Sequence, residues 1–125
     1  MLNLNSILVF SENPKELAAF YKKVFKKDPE MEQDGFTGFM VGKVFFSIGL
    51  HDKVKGKNKN PERIMLNLET NEVKEEFERI KKIGAEVIAE PYEPGEGSGA
   101  LIATFADPDG NYFQLVTPWD DNTKN

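Results

Sequence analysis

Short apolar runs in this chain are twice interrupted by a longer run whose apolar residues recur every three or four positions. That order predicts strand, helix and three strands, and then the same five elements again. Leu4 to Phe10 reads as a first strand of mostly apolar and β-branched residues. Asn13 is placed to cap a helix, Pro14 suits its first position, and Glu16 lies where a capping-box carboxylate reaches back. Leu17, Phe20, Tyr21, Val24 and Phe25 then fall on one stripe, which reads as core packing. Glu30 to Gln33, Phe36 to Val41 and Lys43 to Leu50 follow as strands, with Gly35 and Gly42 at the turns.

The second pass begins with a strand at Arg63 to Glu69. Thr70 or Asn71 caps a helix whose stripe is Val73, Phe77, Ile80 and Ile83, and Gly84 ends it. Ala85 to Ala89 is a strand, Pro91 to Gly99 a loop, and Leu101 to Phe105 and Tyr112 to Val116 the last two strands. These meet at Asp107-Pro108-Asp109-Gly110-Asn111, a tight turn that sets their register and decides which way Gln114 points. The predicted architecture is α+β: two βαβββ modules forming a curved mixed sheet around a pocket, helices on the outer face.

Alternation separates the two faces of that sheet. Val44, Phe46, Ile48 and Leu50 form an apolar row opposite Phe45, Ser47 and Gly49. Ile64, Leu66 and Leu68 oppose Arg63, Met65 and Asn67, and Phe113 and Leu115 oppose Tyr112, Gln114 and Val116. One face is thus apolar and the other mixed, which suits a sheet lining a cavity and equally a one-sided sheet with a wet face.

With 125 residues, 39% hydrophobic and 30% charged, the chain is expected to be a single domain. Its parts are module one at about 1–51, a loop at 52–61, module two at about 62–118 and a tail at 119–125. No apolar run is long enough to span a bilayer and no signal-peptide pattern opens the chain, so a cytoplasmic protein without a membrane partner is expected. A net charge of −5 argues against nucleic acid. The lysine-rich run from His51 to Pro61 has no aromatic residue for base stacking and reads as a solvated, mobile inter-module loop. The glycines at 95, 97 and 99 lie between strands, so they read as a flexible loop rather than a phosphate cradle.

Asn13-Pro14 with Phe20-Tyr21, the restart at Arg63 to Glu69 and the segment from Asp107 to Leu115 together resemble the vicinal oxygen chelate superfamily. That superfamily includes glyoxalase I, bleomycin-resistance proteins and extradiol dioxygenases. The resemblance implies paired modules around a pocket, commonly in a homodimer. It also implies metal-ligand positions at Ser6, Ser47 (or Gly49 under a shifted register), Arg63 and Gln114. Serine is a poor ligand, a guanidinium donates no lone pair, and only the Gln114 carbonyl is chemically able to contribute. With one histidine and no cysteine, a two-histidine, one-carboxylate site cannot come from a single chain.

No metal and no cofactor are therefore expected. His51 sits at the edge of the lysine loop, where exposure to solvent is the commoner state. The expected function is metal-independent binding of a small organic ligand. Leu8, Phe10, Phe45, Met65 and Tyr112 would supply apolar surface, and Ser6, Ser47, Arg63, Asn67 and Gln114 polar contacts. Two alternatives stand beside it. One is a metal-dependent lyase, isomerase or dioxygenase of the glyoxalase type. The other is a protein–protein accessory in which Trp119, in Pro118-Trp119-Asp120-Asp121, anchors a dimer contact or packs on its own domain.

Overall fold

A computed structural model describes residues 1–119. The chain forms two compact units, Met1–Lys57 and a second beginning at Asn58. In the first, β1 (Ser6–Ser11) leads into α1 (Pro14–Phe25), followed by β2 (Met31–Gln33), β3 (Phe36–Val41) and β4 (Val44–Leu50). The second repeats the order with β5 (Leu66–Glu69), α2 (Val73–Ile83), β6 (Glu86–Tyr92), β7 (Ile102–Ala106) and β8 (Tyr112–Val116). Each unit has one four-stranded mixed sheet, ordered β1-β4-β3-β2 in the first and β5-β8-β7-β6 in the second. In both, the first strand runs parallel to the last and the remaining pairs are antiparallel. The predicted α+β architecture of duplicated βαβββ modules is the one observed.

Each helix covers one sheet face with the residues that periodicity selects. Leu17, Tyr21 and Val24 are buried, and Ala18 joins them. The Tyr21 and Phe25 rings lie 5.0 Å and 5.6 Å from the Phe46 ring. In the second unit Val73, Phe77 and Ile80 are buried, and Phe77, Phe105 and Phe113 form a continuous stack. Leu50 and Ile64 are corrections to the predicted apolar rows, since both are largely exposed.

The helix starts also differ from expectation, in the same way twice. Asn13 is the N-cap of α1 without making a side-chain cap. Its N–H is donated to Ser11 Oγ at 2.9 Å, so Glu16 has no free donor to reach back to. In α2 the N-cap is Glu72, whose N–H is donated to Thr70 Oγ1 at 3.0 Å. A hydroxyl two residues before the cap opens both helices.

The strand expected at Arg63 begins only at Leu66, and the partner strand explains why. Leu66 pairs with Phe113, so extending β5 backwards would bring Ile64 opposite Asn111. Asn111 already donates its N–H to Asp107 Oδ1 at 3.0 Å and accepts from Asp107 N–H at 2.8 Å. The chain turns instead, with Arg63 N–H donated to Asn60 O at 3.1 Å. The lysine run is exposed, as expected of a solvated loop, and it is tethered at two points. Gly56 N–H is donated to Glu12 Oε1 at 3.1 Å, and Asn58 bonds Asp109 O and Asn111 Oδ1 at 2.8 Å and 2.9 Å. Trp119 is 76% exposed and is not packed on its own domain; Asp120 and Asp121 lie outside the described residues.

At the edge of the first sheet β2 is too short to cover Met40. Side chains take over the ladder: Glu30 Oε1 accepts Met40 N–H at 2.9 Å, and Lys27 Nζ donates to Met40 O at 2.8 Å and to Glu30. These bonds, led by the one from Lys27, hold the Glu30 carboxyl below its ordinary range. A lowered carboxyl contributes stability above its unfolded-state pKa and loses it as pH falls through the folded value. The melting-temperature gap between wild type and Glu30→Gln is therefore expected to be positive at neutral pH and to shrink as pH falls below the ordinary carboxylate range. Calorimetry across that range checks it.

Candidate functional site

Strand parity divides each sheet into a helix-bearing face and a helix-free face, and the sequence-predicted site residues on strands lie on the latter. In the first unit Ser6, Leu8 and Phe10 stand in register with Phe45, Ser47 and Gly49. Gly38 pairs with Ser47 and Met40 with Phe45. This face is apolar where a solvated sheet face would be polar: Leu8 is 58% exposed and Met40 42%.

Two glycines shape it. A Cβ at Gly38 would collide with the Phe45 ring, and one at Gly49 with the Phe36 ring, so both rings lie flat across the sheet. Their cover leaves Ser47 buried, whereas Ser6 is exposed. Phe10 meets Phe36 edge-on at 6.1 Å and His51 at 5.1 Å. His51 also accepts Lys53 N–H on Nδ1 at 3.1 Å. Phe36, Met40 and His51 thus belong to this face and were absent from the sequence-derived set. Parity was the available signal, because His51 follows Gly49 by two positions.

The helix-free face of the second sheet is polar. Asn67 pairs with Gln114, and Gln114 with Thr104 across the next strand. Gln114 Nε2 donates to Thr104 Oγ1 at 2.9 Å, which turns the Gln114 carbonyl away from Thr104. Thr104 is buried, Tyr112 and Gln114 half-buried, and Asn67 and Glu69 exposed. Glu69 shares the parity of Asn67 and brings a carboxylate to the row, a contribution that sequence reasoning missed. Arg63 and Met65 precede the strand and are exposed, so they do not extend this row. An exposed Arg63 needs no buried counter-ion.

The register of this face depends on the Asp107 turn. Asp107 is buried; its Oδ1 accepts Asp109 N–H and Asn111 N–H, and its Oδ2 accepts from Asn111 Nδ2 at 3.1 Å. Gly110, at φ 81, takes the left-handed conformation that closes the loop.

Duplicated βαβββ modules with helix-free faces of this kind define the glyoxalase-type fold. The chain belongs to the glyoxalase-like domain family, which matches residues 6–116, and through it to the vicinal oxygen chelate superfamily. Among solved structures it is similar to a glyoxalase/bleomycin resistance protein/dioxygenase family enzyme from Burkholderia phytofirmans. The TM-score is 0.75 and the identity 20%, over 93% of this chain and 98% of that one. A glyoxalase-related enzyme from Fulvimarina pelagi aligns with TM-score 0.77 and 18% identity, over 94% of this chain and 89% of that one. The fosfomycin resistance protein FosX from Listeria monocytogenes aligns with TM-score 0.72 and 22% identity, over 95% and 93%. At these identities the likeness is one of fold. No curated protein sequence matches the chain.

The family's metal can be tested against the side chains present. The positions that the resemblance implies hold two hydroxyls, a guanidinium outside any strand and one amide. Among the described residues no three His, Cys, Asp or Glu side chains cluster as a metal site would require. This donor set does not fit a divalent cation.

Proposed function

We propose that this member of the glyoxalase-like family binds a small, partly aromatic organic molecule without a metal ion. The observation carrying this reading is the helix-free face of the first sheet. Leu8, Phe10, Phe36 and Phe45 present an accessible apolar surface, and two glycines keep it flat enough to receive a ring. The helix-free face of the second sheet, by itself, is polar, and Asn67, Gln114 and Glu69 there suit hydroxyl, amide and amine groups. The poor metal-donor set supports binding over Lewis-acid chemistry.

Thermal-shift screening with small aromatic amides and acids tests this. A ligand at about 100 times its Kd stabilises the folded state by about 2.7 kcal/mol, a shift of several degrees in a domain of this size. The shift is expected to disappear in Leu8→Asp. A panel that leaves the melting temperature unmoved, or a stoichiometric transition metal in protein purified without chelators, overturns the proposal.

A further inference from the structure

His51 ends the row of alternating side chains on the helix-free face of the first sheet, and the function proposed above leaves it unused. Its ring meets the Phe10 ring edge-on at 5.1 Å, and Phe10 meets Phe36 at 6.1 Å. Phe36 in turn lies over Gly49, so an imidazole borders an aromatic surface that spans three strands. The partners of Nδ1 fix where the ring carries its proton. In the neutral ring Nδ1 accepts Lys53 N–H at 3.1 Å, which leaves the proton on Nε2. In the imidazolium Nδ1 would turn its proton to Asp52 Oδ1 at 3.3 Å, and Nε2 keeps its own. Nε2 is a donor in both states. It has no partner among the described residues, and the side chain is 43% exposed.

We infer that the ligand of this face is a small aromatic carboxylate, its ring on Phe10 and Phe36 and its carboxylate on His51 Nε2. This ligand class rests on the binding face proposed above and narrows what that face accepts. Charge supports it. The chain carries −5 overall, yet Lys53, Lys55 and Lys57 follow His51 with Asp52 as the one acid among them. Lys55 answers Glu12 at 4.0 Å, whereas Lys53 and Lys57 have no carboxylate partner among the described residues. Gly56 N–H is donated to Glu12 Oε1 and Val54 N–H to His51 O, both at 3.1 Å. These bonds hold the cationic segment beside the end of β1 that carries Phe10. A carboxylate arriving there gains a charge-assisted hydrogen bond and a locally positive potential, and an amine gains neither.

Benzoate and benzyl alcohol are the probes, one ring with and without the carboxylate. Titrated into isotope-labelled protein, both are expected to shift the amides of Leu8, Phe10 and Gly49, with benzoate at least about tenfold tighter. Benzoate alone should move the His51 Nε2 resonance, and its advantage should shrink as salt is raised. His51→Phe keeps a ring against Phe10 and should erase most of the preference, whereas His51→Gln keeps a donor and should retain much of it. Equal affinity for the two probes, or an undiminished preference in folded His51→Phe, overturns the carboxylate assignment and leaves the binding face proposed above standing. Saturable shifts with neither probe overturn both.

Discussion

Truncating Phe77 to alanine is expected to destabilise the protein by about 3–5 kcal/mol, read as a lower urea midpoint. Phe77 is 2% exposed, and its ring is the first of the Phe77–Phe105–Phe113 stack. Removing it leaves one face of Phe105 without a partner and opens a cavity that the surrounding β-sheet cannot collapse to fill. The first module carries alanine at the equivalent position and still packs, because Phe25 meets Phe39 at 5.4 Å and Tyr21 meets Phe46 at 5.0 Å. In the second module Gly84 stands where Phe25 does, so no such substitute exists. A loss below about 1 kcal/mol would mean that the stack is not what holds α2 to its sheet.

The same comparison shows what could be read from the sequence. Helix stripes, strand order and the Asp107 turn were legible because each rests on a local periodicity or on turn chemistry within a few residues. Ala18 was not. Alanine carries too little hydrophobic signal to be placed on a stripe, yet Ala18 is buried with Leu17, Tyr21 and Val24. Arg63 was misplaced for a related reason: alternation continues through Ile64, but the strand stops where Asn111 has no backbone groups left to share. Strand limits depend on the partner's free hydrogen bonds, and no pattern within one segment reports them.

The candidate faces were legible to the extent that parity alone sets them. Leu8, Phe10, Phe45, Ser47, Asn67 and Gln114 all fall where alternation puts them. Glu69 shares that parity within the predicted strand and was legible too, whereas His51 required knowing how far β4 carries its alternation. The flattening of Phe36 and Phe45 over glycine required knowing which residues are neighbours across strands. The sheet faces therefore follow from residue order, whereas their fine shape follows from pairing. Ligand preference is decided by that fine shape.

Asp107→Ala is expected to cost about 3 kcal/mol and to loosen the Gln114 face together with the fold. Three donors converge on this one buried carboxylate: the Asp109 and Asn111 backbone N–H groups on Oδ1 and the Asn111 side-chain amide on Oδ2. Alanine leaves all three unsatisfied in a part-buried turn, and hydrogen bonds to a charged acceptor are the ones most costly to lose. Asp107→Asn separates the two oxygens. Its carbonyl can keep both backbone bonds, but its amide nitrogen then faces Asn111 Nδ2, donor against donor. About half of the alanine cost is expected. Adding Asn111→Asp should restore most of it, because the new carboxylate accepts from the amide introduced at position 107 and still accepts from Asn58 Nδ2. Urea unfolding of wild type, both single variants and the double variant, with amide hydrogen exchange at Tyr112 and Gln114, gives the coupling directly. Strict additivity across the cycle would show that the turn is held by its backbone alone, and the alignment of Gln114 with Asn67 would then need another cause.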